Sequence, residues 1–110
     1  MSMIALSIRQ PFANRILSGE KVIEYRTIPT KKRERVYIYA SKTQLPVGLI
    51  GGVIIGSVEI IDCTETEDWW LWHLANPVAL VIPVKPELKP QPVFFRPFAL
   101  ITPPPQPSAH

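Results

Sequence analysis

The 110-residue chain has little of what several common kinds of functional site require. Its single cysteine, Cys63, excludes an internal disulfide and is typical of a protein in a reducing compartment. Cys63 follows an apolar run, so we interpret it as a buried and unreactive thiol. The two histidines, His73 and His110, combine with Cys63 in no spacing typical of metal sites, and neither follows a nucleophile-elbow pattern. We therefore predict no metal and no cofactor.

The longest apolar run is interrupted too often to be a membrane span. Residues 45–61 cover 17 positions and include Pro46, four glycines and Glu59, whereas a spanning helix needs about 20 apolar residues. The first residues, Met1 to Ile4, lack the positive charge that opens a signal peptide. These features predict a cytoplasmic protein that does not contact a membrane.

Charge is distributed unevenly along the chain. Residues 1–43 hold nine bases and three acids, a balance of +6, whereas residues 44–110 hold three bases and six acids, a balance of −3. A molecule polarised in this way can attract a polyanion to one side. The alternative is that the bases only form a solvated surface.

The hydrophobic pattern predicts a mainly β domain of the α+β class, with five or six strands and two short helices. Strands are predicted over residues 3–8, 22–26, 35–40, 51–62, 77–84 and 92–100. One helix begins at Pro11, carries Phe12 on its apolar side and ends at Gly19. The second covers residues 68–74, after a capping box formed by Thr64 and Glu67. Small strand sets of this kind close into a barrel or a partly open barrel, which removes exposed edges.

Two features suit a protein partner. The cluster Trp69, Trp70 and Trp72 can stack nucleic-acid bases, but we favour packing over the open end of a barrel. The domain is predicted over residues 1–101, followed by a disordered, proline-rich tail at 102–110. Either the tryptophans or the tail can bind another protein.

The stretch from Gly19 to Arg26 carries the candidate catalytic residues, which are Lys21, Glu24 and Tyr25. In a strand, Glu24 and Arg26 share one face because side chains alternate. An acid and a base so placed form a structural ion pair or jointly hold a polar ligand. Spacing alone leaves both interpretations open.

Basic and hydroxyl-bearing residues in the first 43 positions suit nucleic acid. Lysine and arginine contact phosphates, whereas glutamine and glutamate can recognise base edges or a ribose hydroxyl. We predict that RNA or a nucleotide is bound by the following residues: Ser7, Arg9, Gln10, Lys21, Glu24, Arg26, Lys31, Arg33, Arg35, Ser41 and Lys42.

Several of these segments resemble an ASCH domain. The likeness is carried by residues 5–13, 16–21 and 23–26, and its most specific part is the pattern G-x-K-x-x-E-x-R that starts at Gly19. Residues 36–42 and 51–63 fit the same pattern, so the resemblance covers roughly residues 3–84. It implies a PUA-like β-barrel, a cleft between the barrel and the first helix, and RNA binding. The residues it places in that cleft are Lys21, Glu24, Arg26, Ser7 and Gln10, flanked by the loop 31–35 and Lys42.

The resemblance also offers enzymatic alternatives. One branch of the family hydrolyses acetylated cytidine with a lysine and a threonine three residues later; here Glu24 stands at the threonine position, which argues against that activity. Other members resemble ribonucleases that depend on lysine and tyrosine, for which Lys21, Tyr25, Tyr37 or Lys42 are candidates. RNA binding without catalysis is our first hypothesis. The alternative is an enzyme that acts on RNA or modified nucleosides through Lys21 and Glu24.

Overall fold

The computed structural model describes residues 3–99, which form one curled sheet of six strands and one short helix. The strands are β1 (Ala5–Arg9), β2 (Ile23–Arg26), β3 (Arg35–Ser41), β4 (Val53–Glu65), β5 (Trp70–Val84) and β6 (Phe94–Phe95), and helix α1 (Phe12–Leu17) follows β1. The order across the sheet is β2-β5-β4-β3-β1-β6, with β1 and β3 parallel and the other neighbours antiparallel. No ladder joins the edge strands β2 and β6 within the described residues, so the sheet is an open half-barrel. The predicted mainly β, partly open barrel is confirmed.

The core lies on the concave side of the sheet, where alternate residues of each strand point inward. Leu6 and Ile8 of β1 are buried, as are Val36 and Ile38 of β3, and the residues between them are more exposed. Ile16 of α1 packs against the same cluster. Helix α1 thus covers one open side of the curled sheet. A helix this short is not stable alone, so its packing against the sheet stabilises it.

Gly56 of β4 allows the helix to approach the sheet closely. A β-carbon at this position would lie 2.4 Å from the Val78 carbonyl oxygen and 2.7 Å from the Leu17 side chain of α1. Both distances are far below van der Waals contact. Gly56 thus marks a close approach of backbone and side chain that a residue with a β-carbon could not make.

Replacing Gly56 by alanine is expected to destabilise the protein by about 1–3 kcal/mol, because the added methyl overpacks the contact between α1 and β5. Urea unfolding followed by circular dichroism measures the loss. The control is Gly19→Ala, where a β-carbon meets nothing within 4 Å but φ is +82°. At Gly19 the loss of stability comes from the backbone conformation, so Gly19→Asn should recover most of it, because asparagine tolerates left-handed backbone. At Gly56 the loss comes from packing, so the larger Gly56→Asn should be less stable than Gly56→Ala. A Gly56→Ala protein as stable as the wild type would contradict the packing described here.

The helix predicted over residues 68–74 is wrong, because Trp70 to Leu74 are part of β5. Trp70, Trp72 and Leu74 alternate toward the core, and this segment pairs with β2 on one side and β4 on the other. The predicted cap Thr64 lies in β4, and Thr66 forms the hairpin turn that follows: its hydroxyl accepts the Trp69 amide N–H at 3.0 Å, and its own amide donates to the Trp69 carbonyl at 2.8 Å. Two ladders satisfy more backbone groups here than an isolated turn of helix could.

Other boundaries differ in detail. The strand predicted over 77–84 is continuous with the tryptophan segment in β5, and the strand predicted over 92–100 is reduced to Phe94–Phe95 in the part of the chain described. Cys63 is half-buried rather than buried. The predicted tail and domain boundary, at 102–110 and 101, lie outside the described residues. No described helix has the length and apolar character needed to cross a membrane.

Candidate functional site

A cavity of about 520 Å³ opens where β1 and β3 end, between α1 and β2. Because β1 and β3 are parallel and Arg9 pairs with Ser41, the last residues of both strands meet at this same edge. We call this cavity the cleft. Its lining residues are Ser7, Ile8, Arg9, Phe12, Lys21, Glu24, Tyr25, Arg26, Ser41, Thr43, Trp69 and Pro92.

Glu24 is at the centre of an ion-pair network in the cleft. Its Oε2 accepts from the Nη2 of Arg26 at 2.8 Å and from the Nε of Arg26 at 3.0 Å, while its Oε1 lies 3.4 Å from the Nζ of Lys21. The Glu24 side chain is only 11% exposed. Glu24 and Arg26 therefore share one face of β2, as their spacing predicts, and the carboxylate is held between two cations.

Arg26 also connects strands that do not pair with each other. Its Nη2 donates to the Ser7 carbonyl of β1 at 2.9 Å, although β1 and β2 lie in distant positions of the sheet order. Its guanidinium carbon lies 5.5 Å from the centre of the Trp72 ring. Arg26 thus bridges the gap in the half-barrel and forms the inner wall of the cleft.

Lys21 lies between two aromatic rings at the mouth of the cleft. Its Nζ is 5.6 Å from the centre of the Phe12 ring and 5.2 Å from that of Tyr25, and it donates to the Ile23 carbonyl at 2.5 Å. Rings, a carbonyl oxygen and the Glu24 carboxylate are all partners of a charged ammonium. Lys21 is therefore held in place by four partners, the Phe12 and Tyr25 rings, the Ile23 carbonyl and the Glu24 carboxylate.

Exposed aromatic faces form the outer wall. Tyr25 and Trp69 are about half exposed and meet edge to face, with ring centres 6.4 Å apart and an interplanar angle of 82°. Trp72, by contrast, is fully buried and stacks on Phe94. The tryptophan cluster is thus divided between the core and the cleft.

The structure brings together six of the eleven residues predicted to bind nucleic acid: Ser7, Arg9, Lys21, Glu24, Arg26 and Ser41. The catalytic candidate Tyr25 lines the cleft too, and Lys42 lines a smaller cavity beside it. Gln10 is buried, and its amide is used within the fold: it donates to Asn14 and to the Ile50 carbonyl.

The predicted basic loop lies elsewhere. It precedes Arg35 at the start of β3, about 20 Å from Ser41 at the other end of that strand, given the rise of an extended chain. Arg35 contacts Glu59 at 3.1 Å and the Asn76 carbonyl at 2.9 Å, and Arg33 lies 3.9 Å from Asp62. The structure therefore does not bring Lys31, Arg33 or Arg35 to the cleft.

Sequence reasoning missed four lining residues, one of which, Ile8, is a buried core residue of β1. Phe12 was assigned to the apolar side of the helix, but it is the first residue of α1 and is 38% exposed at its end. Thr43 lies two residues after Ser41, the end of β3, and this proximity in sequence is its only local signal. Pro92 comes from a segment far away in sequence and has no such signal. Within residues 3–99 no three His, Cys, Asp or Glu side chains come together as metal ligands.

Comparisons with known proteins agree with this architecture. Two similar solved structures are the crystal structure of ASCH from Zymomonas mobilis and that of a tyrosine-to-phenylalanine mutant of the Zymomonas protein. The first is 17% identical with a TM-score of 0.66, covering 86% of this chain and 87% of that one. The second is 16% identical with a TM-score of 0.65, covering 87% and 90%. No curated protein sequence matches significantly. At these identities the two structures support the fold alone. The family model for the ASCH domain, however, matches residues 6–101, and the chain therefore belongs to the ASCH domain family.

Proposed function

We propose that this ASCH domain binds single-stranded RNA without catalysis and holds one nucleotide in the cleft. The observation that carries the proposal is the presence, in one cavity, of three cationic side chains and exposed aromatic faces. Proteins that bind single strands combine these two elements, because cations attract the backbone and aromatic rings stack on bases.

The balance of charge in the cleft favours an anionic ligand. Arg9, Lys21 and Arg26 face a single carboxylate, Glu24, which already contacts two of them. Arg9 has no carboxylate partner among the described residues, and its guanidinium donates to the Gln44 side chain. Arg9 is therefore the cation most available to a phosphate.

The shape of the cleft favours a single strand. A volume of about 520 Å³ is within the usual range of roughly 300–1,000 Å³ for small-ligand sites. Bases in an A-form duplex are stacked and paired, so only an unstacked base can enter such a cavity and lie against Tyr25 or Trp69.

The contacts of Lys21 and Glu24 favour binding over catalysis. Lys21 contacts the Ile23 carbonyl, the Glu24 carboxylate and two aromatic rings, so it would have to leave these partners before it could act as a base or nucleophile. Glu24 lies between two cations and contacts both, which favours a scaffold role for this carboxylate. The enzymatic alternative stays a prediction, and turnover retained in both Lys21→Ala and Glu24→Gln would remove it.

Arg9→Ala is expected to lower the affinity for a short fluorescent single-stranded RNA about tenfold, because it removes a charge-assisted phosphate contact. The slope of log affinity against log salt should fall by about 0.7 with the loss of one contact. Fluorescence anisotropy over a salt series measures both quantities, and the same sequence as a duplex should bind more weakly.

The matched control is Arg33→Ala, which removes the same charge from an exposed arginine outside the cleft. Its affinity and slope should change much less than those of Arg9→Ala. Equal losses in the two variants would show that only the overall charge matters, and the cleft would lose its proposed role. RNA that does not bind the wild type at all would end the proposal.

A further inference from the structure

A second cavity continues the cleft. It has a volume of about 260 Å³ and shares Ser7, Ser41, Thr43 and Pro92 with the cleft. Lys42 and Tyr39 belong to the second cavity alone, and we call it the Lys42 cavity. A ligand that fills the cleft can therefore extend into the Lys42 cavity across Ser41 and Thr43.

The shared wall is fixed by hydrogen bonds to β1. The Ser7 hydroxyl donates to the Gln91 carbonyl at 3.1 Å, and the Ser7 amide donates to the Val93 carbonyl at 3.0 Å. These contacts hold residues 90–93 beside the end of β1. On the other side, the Thr43 amide donates to the Ser41 hydroxyl at 3.0 Å. The passage between the two cavities is thus formed by residues 90–93 and 41–43, and hydrogen bonds fix both segments.

Lys42 is placed to receive an anion. Its side-chain stem lies over Gly52, where a β-carbon would be only 2.4 Å from the Cε of Lys42. Lys42 is exposed and forms no ion pair with the described residues. Burial raises the pKa of the neighbouring Tyr39 phenol above its ordinary value, so this wall adds no negative charge.

Acidic residues lie beside Trp69, which lines the cleft but not the Lys42 cavity. Trp69 lies in the hairpin turn with Glu67 and Asp68, and Glu65 ends β4 just before that turn; all three acids are exposed. Like charges repel, so a phosphate is disfavoured beside Trp69 and favoured beside Lys42. The aromatic wall and Lys42 therefore line different parts of one continuous site.

We infer that the ligand is an oligonucleotide of at least two nucleotides rather than a mononucleotide or nucleoside. One base lies in the cleft against Tyr25 and Trp69, and the sugar–phosphate backbone leaves over Ser41 and Thr43 toward Lys42. This inference rests on the proposed function, since it assumes that the cleft binds RNA. It adds the direction in which the strand leaves and the minimum length of the ligand.

The test compares uridine 5′-monophosphate with 5′-phosphorylated diuridine as competitors of the labelled RNA, a format that detects weak binding. In the wild type the dinucleotide should bind about tenfold more tightly, because it adds a charge-assisted phosphate contact at Lys42. Lys42→Ala should bring the ratio of the two affinities close to one. Lys31→Ala, an exposed lysine in the loop before β3, should keep the wild-type ratio.

Two outcomes overturn the inference and leave the proposed function standing: equal affinities for the two competitors in the wild type, or an unchanged ratio in Lys42→Ala. An equal fall of the ratio in Lys42→Ala and Lys31→Ala also overturns it, because bulk charge then explains the gain. If labelled RNA binds but neither competitor displaces it, the cleft does not take these ligands and the inference is wrong. If labelled RNA does not bind, the proposed function fails together with it.

Discussion

Replacing Trp72 by alanine is expected to destabilise the fold by about 3–5 kcal/mol, which is much of the total stability of a typical domain. Trp72 is fully buried, stacks on Phe94 with ring centres 5.5 Å apart, and donates its indole N–H to the Ile28 carbonyl at 3.1 Å. Its removal leaves a large void where β5, β6 and the loop after β2 meet. Urea unfolding followed by far-ultraviolet circular dichroism measures the loss without depending on tryptophan emission.

Two further variants separate size from hydrogen bonding and core from cleft. Trp72→Phe keeps an aromatic ring beside Phe94 but loses the donor to Ile28, so it should cost less than Trp72→Ala. Trp69→Ala removes a half-exposed ring, so the free energy of unfolding should change by less than about 1 kcal/mol. The affinity for RNA should fall roughly five- to thirtyfold, because a stacking face is lost. A stability loss in Trp69→Ala as large as that in Trp72→Ala would contradict this division of the cluster.

Features set by local chemistry could be predicted from the sequence. Alternation over residues 35–40 places Val36 and Ile38 inside, and the structure agrees because strand periodicity does not depend on the rest of the chain. Gly19 ends the helix region at φ +82°, a conformation that glycine adopts without strain. The shared face of Glu24 and Arg26 follows from the same periodicity.

The tryptophan segment shows where local chemistry was insufficient. A capping pattern at Thr64 and Glu67 predicts a helix, whereas alternation of Trp70, Trp72 and Leu74 predicts a strand, and the residues themselves allow both. Tertiary pairing decided the outcome, since β5 satisfies its backbone groups with β2 and β4 together. β4 is joined to β5 by the short hairpin turn at Thr66, but β2 is far from β5 in the sequence, and no local pattern reveals that pairing.

The extent of the candidate site depended on topology in the same way. The loop containing Arg33 is as basic as the cleft, but it enters β3 at the end opposite Ser41, and only the parallel pairing of β1 with β3 determines which end faces the cleft. Gln10 was predicted from its residue type, yet its partners Asn14 and Ile50 hold it inside the fold. Residue types thus suggested candidates for the site, and strand order determined which of them line the cleft.

Glu24→Gln is expected to change stability and RNA binding in opposite directions. The substitution removes a carboxylate that is only 11% exposed and contacts both Lys21 and Arg26, so unfolding should become easier by roughly 2 kcal/mol. It also removes the only negative charge that lines the cleft in the described structure. Affinity for the labelled RNA should therefore rise about threefold at low salt. At higher salt the affinity should approach the wild-type value, because salt screens the charge difference. Urea unfolding and anisotropy over a salt series measure the two effects on the same sample.

Glu34→Gln is the matched control, because it removes the same charge from a half-exposed glutamate whose carboxylate has one ion-pair partner among the described residues, Lys32 at 3.6 Å. Surface pairs of this kind contribute about 0–1 kcal/mol, so little should change. If Glu24→Gln instead loses RNA binding while remaining folded, then Glu24 contacts the ligand directly, through a base edge or a ribose hydroxyl, and is not only a scaffold for two cations. A gain in affinity that accompanies a loss in stability would mean that the fold keeps this carboxylate to hold Lys21 and Arg26 in place, at the expense of tighter binding.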